Sequence, residues 1–218
     1  MRIAISRVHF PVTTLGPGRR LGIWFQGCSI RCPGCISADT WAADRGGLEL
    51  AELFGQIDGW LEQAEGITIS GGEPFDQADA LGALLRGLRE RVAADILVYS
   101  GHAFERLERP LAALEGLIDA LITDPFVLEA PQRLPIRGSD NQRLHRLTAL
   151  GHSRFADYDE PAFEGEAFDV MFDEDGTVWL AGIPRRGDFE RLRAELGRQG
   201  HHVVTTEDAS PRRGTGGS

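Results

Sequence analysis

Three cysteines, Cys28, Cys32 and Cys35, lie in one short stretch, and the chain has no others. Their spacing is Cys-x3-Cys-x2-Cys, and Pro33 and Gly34 favour a tight loop that turns the sulfurs toward one point. Thiolates are the ligands that iron–sulfur clusters and zinc select. This spacing therefore predicts a metal site.

The number of cysteines helps to distinguish a zinc site from an iron–sulfur cluster. A closed structural zinc site needs four protein ligands. A [4Fe–4S] cluster held by three cysteines has one iron without a protein ligand, which is free to bind a substrate or cosubstrate. A zinc site completed by His9, His102 or His145 is the alternative. A disulfide is disfavoured by the odd cysteine count.

A second motif follows one predicted helix later, at Gly71, Gly72, Glu73 and Pro74. The run 66–75 is predicted to begin with a short buried strand that ends in the two glycines. Glycines at a strand end let the backbone come close to a ligand, and the Glu73 carboxylate can accept a hydrogen bond from an ammonium group.

The two motifs together resemble those of the radical S-adenosylmethionine (radical SAM) enzymes, whose open iron chelates the amino and carboxylate groups of SAM. The run from Cys32 to Cys35, followed by Thr40 and Trp41, is similar to the activating proteins of anaerobic ribonucleotide reductase. Gly34 is a departure, since most radical SAM enzymes have an aromatic residue there.

The resemblance implies which residues carry the chemistry. Cys28, Cys32 and Cys35 would hold the catalytic [4Fe–4S] cluster, and Ser100 would meet the ribose of SAM. The methionine end of SAM would be bound by Gly71, Gly72, Glu73 and Pro74. A loop similar to one in the reductase activators adds three candidates, Arg137, Ser139 and Asn141. For Ser100 an ordinary strand end, and for this loop a turn bonded to its own backbone, are the alternatives.

Apolar residues alternate between strand and helix patterns along the chain, which predicts an α/β fold. Strands are predicted at 2–8, 20–26, 95–101 and 117–123, and helices at 48–63, 76–91 and 103–115, with Asp76 as an N-cap. The resemblance sharpens this to a partial, open (β/α)6-like radical SAM barrel.

We expect the radical SAM core to span residues 1–149. A C-terminal extension over 150–206 is predicted to contain a hairpin turning at 174–176, a helix over 188–199 and a strand at 202–205, packed on the core. Residues 207–218 are predicted to form a disordered tail.

Composition excludes some partners. The net charge of -10 disfavours binding to nucleic acid, because phosphate contacts need clustered Lys and Arg. No apolar run has the length of a membrane span, and the chain opens on a strand pattern without a signal peptide. We therefore expect a cytoplasmic protein with no membrane partner.

The function implied by the resemblance is reductive cleavage of SAM to a 5′-deoxyadenosyl radical, which abstracts a hydrogen atom. The favoured hydrogen-atom donor is a glycine of a partner glycyl-radical enzyme. An electron donor such as a flavodoxin would reduce the cluster. Three alternatives stay open: a small-molecule enzyme of the 7-carboxy-7-deazaguanine synthase kind, another peptide-modifying enzyme, and a non-catalytic Fe–S binding module.

Overall fold

A computed structural model describes residues 1–161, 168–172 and 178–201. Its centre is a seven-stranded sheet in the order β3-β1-β2-β4-β5-β6-β7. The strands are β1 (Arg2–Val12), β2 (Arg20–Phe25), β3 (Gly47–Glu49), β4 (Gly66–Gly71), β5 (Asp95–Tyr99), β6 (Ala120–Thr123) and β7 (Arg143–Arg146). The predicted α/β class is confirmed, with a sheet that is mixed and parallel at its centre.

The four central strands, β2, β4, β5 and β6, run parallel, whereas β1, β3 and β7 are antiparallel to their neighbours. All six residues of β2 and all four of β6 are buried. Parallel strands covered on both faces show such continuous apolar runs rather than alternation. The parallel arrangement brings the carboxyl ends of these strands to one edge of the sheet.

Helices α1 (Leu50–Leu61), α2 (Ala78–Arg89) and α3 (Phe104–Ala112) connect the parallel strands, and α4 (Ala149–Arg154) follows β7. The apolar stripes of α1 and α2 pack into the main core with the strand residues. The predicted helix at 48–63 begins later, because residues 47–49 pair with β1 as an edge strand. The helix predicted from Asp76 is preceded by a 3-10 turn, Pro74–Gln77. The prediction that Asp76 is the N-cap is wrong, because Gln77 occupies the N-cap position of α2.

Beyond the sheet, the described residues form a hairpin of β8 (Phe168–Phe172) and β9 (Val178–Gly182), followed by α5 (Asp188–Arg198). The strands of the predicted hairpin and its following helix are confirmed. The predicted turn at 174–176, strand at 202–205 and tail at 207–218 lie outside the described residues. Among the described residues, none of the helices combines the length and the apolar character that crossing a membrane requires.

A buried ion pair fixes the amino ends of β2 and β5, at the edge opposite the strand ends described above. Arg20 and Asp95 are fully buried, and the Arg20 guanidinium donates to the Asp95 carboxylate at 2.5 Å. Arg20 also donates to Thr68 Oγ1 at 2.6 Å, and Arg154 of α4 donates to the second Asp95 oxygen at 2.8 Å. α4 is thereby joined to the sheet.

Asp95→Asn should lower the free energy of unfolding by about 3 kcal/mol, because it leaves the buried Arg20 charge without its carboxylate. Urea unfolding of the metal-free chain measures this. The matched control is Glu49→Gln, whose partner is the exposed amino group of Met1 at 2.9 Å and whose loss should cost less than about 1 kcal/mol. Equal losses in the two variants would contradict the assigned role of the buried pair.

Candidate functional site

The carboxyl ends of β2, β4 and β5 surround one cavity of about 770 Å³. Ligand sites in open α/β sheets gather at this edge, and the volume is in the usual range for small-molecule sites. Seven of the predicted site residues line the cavity: Cys28, Cys32, Cys35, Gly71, Gly72, Glu73 and Ser100. The structure therefore brings the two sequence motifs and the end of β5 together.

The cysteine loop starts directly after β2 and is tied down by its own backbone. The amide of Gly27 donates to the carbonyl of Thr40 at 2.7 Å, and Cys35 N–H donates to Cys32 O at 3.1 Å. Arg31 and Gly34 adopt positive φ angles of 52° and 75°. The turn is thus tight enough to aim three side chains into one cavity, as the Pro-Gly pair predicted.

Hydrogen bonds to the sulfurs are suited to thiolates. Backbone amides of Ile30 and Arg31 contact Cys28, that of Ser37 contacts Cys35, and the Trp41 side chain also bonds to Cys35. Without a metal, burial raises the pKa of all three thiols, and that of Cys35 reaches about 11. A bound metal stabilises the thiolate form, so the donor set fits an iron–sulfur cluster.

The two glycines of the second motif allow β4 to approach the start of the cysteine loop. Gly72 N–H donates to Phe25 O and Glu73 N–H donates to Gly27 O, both at 2.8 Å. A Cβ on Gly72 would lie 2.0 Å from the Gly27 carbonyl oxygen. Gly71 has a φ of 98°, and a Cβ there would lie 2.6 Å from Phe25 O. The glycines thus let two strand ends touch.

Glu73 is buried and its carboxylate accepts three hydrogen bonds. Phe75 N–H and Ser100 Oγ donate to one oxygen at 3.0 and 2.9 Å, and Gly101 N–H donates to the other at 2.8 Å. Burial raises the pKa of this carboxyl group, and the hydrogen bonds oppose that rise. Glu73 and Ser100, each predicted to contact SAM, therefore bind each other and join the ends of β4 and β5.

Sequence reasoning missed the functional placement of Asp76. Its carboxylate accepts from Ser29 N–H at 2.7 Å and from Ser29 Oγ at 2.8 Å, next to Cys28. The 3-10 turn that follows the second motif thus holds the cysteine loop through a side chain, in addition to the backbone contacts of the motif itself. Only the position of Asp76, two residues after Pro74 in a 3-10 turn, could have signalled this.

Four predicted site residues do not line the cavity. Pro74 begins the 3-10 turn, and Ser139 Oγ accepts from Val127 N–H at 3.1 Å. Asn141 donates to Pro125 O at 2.9 Å. The buried Arg137 guanidinium pairs with Asp159 at 2.6 Å and donates to Tyr158 O. These contacts favour the interpretation in which the 137–141 loop uses its polar groups for its own structure.

The histidines considered for a zinc site stay outside the cavity lining. His145 Nε2 lies 3.0 Å from Thr123 Oγ1, with its ring stacked on Phe104, and His102 Nε2 lies 3.8 Å from Asp76. His9 belongs to β1. Within residues 1–161, 168–172 and 178–201, no three His, Cys, Asp or Glu side chains converge on the position of a single metal ion. A cluster binds its cysteines to different irons and does not need that convergence.

Comparison with known proteins agrees with the geometry. The family model described as "4Fe-4S single cluster domain" matches residues 14–145. The anaerobic ribonucleoside-triphosphate reductase-activating protein of Vibrio cholerae is 32% identical over 151 residues, which cover 64% of this chain and 96% of that protein. The protein of the same name in Escherichia coli is 31% identical, with the same coverage.

The chain belongs to the radical SAM activating proteins with a 4Fe–4S single cluster domain. The resemblance found in the motifs is thus confirmed, and the chain is an enzyme of this family. A third relative, the pyruvate formate-lyase-activating enzyme of Listeria monocytogenes, is 30% identical over 192 residues, which cover 84% of this chain and 70% of that enzyme.

This family member has a wall of its cavity that lies beyond the matched residues 14–145. The hairpin, the segment after it and α5 face the thiols across the cavity. Apolar residues predominate among them: Phe168, Val170, Val178, Trp179, Leu180, Ala181, Ile183, Pro184, Phe189, Leu192 and Leu196. Sequence reasoning expected the extension to pack on the core, but the pattern gave no sign that it bounds the cluster cavity.

Gly72→Ala should destabilise the metal-free chain by about 2 kcal/mol or more, because the added methyl group overlaps the carbonyl of Gly27, which is fixed by a hydrogen bond from Glu73 N–H. Urea unfolding measures the change. Gly55→Ala in α1 is the control, since its Cβ meets nothing within 4 Å and alanine favours the helix by about 0.5–1 kcal/mol. A destabilised control or an unaffected Gly72→Ala chain would show that close approach is not what requires glycine.

Asp76→Ala should lower the iron bound per chain after anaerobic reconstitution, because the loop around Cys28 loses both bonds to Ser29. Iron analysis and the rate at which the visible absorbance decays with a chelator measure this. Asp79→Ala, an exposed carboxylate in α2, should keep the wild-type iron content. Equal iron retention in both variants would mean that the loop holds its shape without Asp76.

Proposed function

We propose that the protein is a glycyl-radical enzyme activase: a radical SAM enzyme that generates a radical on a glycine of a partner protein. The observation that carries this proposal is the single cavity lined by the three thiols, the Gly71-Gly72 backbone and the end of β5. A cluster ligated by three cysteines and a small molecule bound to its open iron have room there.

In this proposal Cys28, Cys32 and Cys35 hold a [4Fe–4S] cluster, and Gly71 to Glu73 bind the methionine end of SAM. Such a cluster, when bound, would supply the electron for cleavage of SAM to methionine and a 5′-deoxyadenosyl radical, which would take a hydrogen atom from the substrate. The protein orients the reactants and excludes water. Glu73 contributes by holding the ends of β4 and β5 at a fixed distance through its bonds to Ser100 and Gly101.

The names of the relatives support a protein substrate. Two are reductase-activating proteins and one is a pyruvate formate-lyase-activating enzyme. We propose that the substrate is a glycine of a glycyl-radical enzyme, with the anaerobic ribonucleotide reductase as the favoured partner. A one-electron donor such as a flavodoxin would reduce the cluster.

The proposal includes an architecture. We propose that the mixed sheet curves into the partial, open barrel of this superfamily, with the core in residues 1–149 and the extension in residues 150–206. The contacts of Arg154 with Asp95 attach the start of that extension firmly to the sheet. The hairpin and α5 then lie in the extension, outside the barrel.

The anaerobically reconstituted chain, given SAM and dithionite, should release 5′-deoxyadenosine. The Cys35→Ala chain should release none, because the cluster loses a ligand. Liquid chromatography of the product measures this, and electron paramagnetic resonance after mixing with the anaerobic reductase tests for the glycyl radical. A reconstituted chain that binds SAM but gives neither product, with or without the reductase, would refute the proposal.

A further inference from the structure

The C-terminal hairpin has two different faces. Asp169, Met171, Trp179 and Ala181 point to the core, where Met171 and Ala181 are buried in a cluster with Val12, Leu15 and Trp24. The opposite face carries Phe168, Val170, Val178 and Leu180, and two of these are unusually open: Val170 is 47% exposed and Val178 is 51% exposed. Apolar side chains therefore occupy both faces, and on the second face Val170 and Val178 stay open to solvent.

The packed face is attached to the core at a few strong points. Asp169 accepts four hydrogen bonds from the amide and hydroxyl groups of Thr13 and Thr14, at 2.7 to 3.2 Å. The Arg7 guanidinium lies 4.3 Å from the Trp179 ring centroid and pairs with Asp39 at 2.7 Å. Because Asp39 follows Cys35 in the cysteine loop, the hairpin is held in a fixed position relative to the thiols.

Helix α5 continues the open apolar surface into the cavity. The Phe189 ring stacks on Phe168 with centroids 6.2 Å apart, which joins the helix to the hairpin. Leu192 and Leu196 follow at helical spacing, are only partly buried and line the cavity together with the cysteines. An amphipathic helix ordinarily buries such a stripe against its own core. Here the stripe faces the space in which the substrate would react.

We propose that this surface, formed by Val170, Val178, Leu180, Leu192 and Leu196, binds apolar side chains that flank the target glycine of an extended peptide segment. The inference rests on the proposed function, because it takes the substrate to be a peptide. These residues line the same cavity as the three thiols, and we therefore assign the surface to the substrate that reacts there. A row of apolar residues that runs from the hairpin into the cavity suits an extended chain with several apolar side chains.

The surface also explains the position of the extension. The cysteines and the glycines all lie within the matched residues 14–145, whereas Leu192 and Leu196 lie beyond them. Substrate selection is a different requirement, and burial of a leucine side chain away from water favours the binding of an apolar partner. Residues Leu192 and Leu196 are specificity-determining in this proposal and contact the substrate, not the cluster.

Two fluorescently labelled nine-residue peptides test the inference. Each has a central glycine, flanked on both sides by leucine in one peptide and by asparagine, of similar size, in the other. Fluorescence anisotropy with the anaerobically reconstituted full chain and SAM should show the leucine peptide binding about tenfold tighter or more. Equal binding of the two peptides, or no binding of either, would overturn the proposal.

The combined change Leu192→Ala and Leu196→Ala should reduce the preference to about threefold or less, since both contacts are truncated. The matched control is Leu150→Ala, a partly exposed leucine of α4 that does not line the cavity, which should keep the full preference. A preference that survives the double change would contradict the assignment. Circular dichroism and iron content establish that each variant is folded.

Crosslinking of the unaltered chain tests the same surface without relying on variants that could misfold. The leucine peptide with a benzophenone group beside its glycine should crosslink to residues 178–196, as mapped by mass spectrometry; crosslinks confined to other segments would overturn the inference. Release of 5′-deoxyadenosine, assayed separately, distinguishes the two proposals. A chain that releases it without the leucine preference refutes this surface, whereas one with the preference but without release refutes the proposed chemistry.

Discussion

The close contact between the ends of β2 and β4 is the constraint on which the site depends. Two backbone hydrogen bonds of 2.8 Å join Gly72 to Phe25 and Glu73 to Gly27, and a side chain at Gly72 would occupy the space of a carbonyl group. The cysteine loop starts at that contact. Any separation of the two strands would move Cys28 relative to the carboxyl end of β4, and the cavity would lose its shape.

Glu73 extends this constraint to the third strand. A buried carboxylate is costly unless it is hydrogen-bonded, and here three donors from two segments satisfy it. Asp76 performs the corresponding task toward the cysteine loop through Ser29. The second motif thus has a structural role that is distinct from ligand binding: it sets the distances among β2, β4 and β5.

Features that depend on a few neighbouring residues could be predicted from the sequence. The cysteine spacing, the glycine pair and the buried strands are local, and the structure places them as expected. The pairing of Asp76 with Ser29 and of Arg137 with Asp159 joins residues distant along the chain, so no local pattern distinguishes them from ligand contacts. The same holds for α5, because an apolar stripe has the same spacing whether it faces a core or a cavity.

The attachment of the hairpin at Asp169 bears on how such enzymes diversify. The hairpin is attached by the Asp169 carboxylate, which accepts hydrogen bonds from Thr13 and Thr14, by a small apolar cluster and by the Arg7–Trp179 contact. None of these residues is a cysteine of the loop or a member of the glycine motif. Removal or exchange of this terminal segment would therefore change one wall of the cavity and leave the residues of the cysteine loop and the glycine motif unaltered.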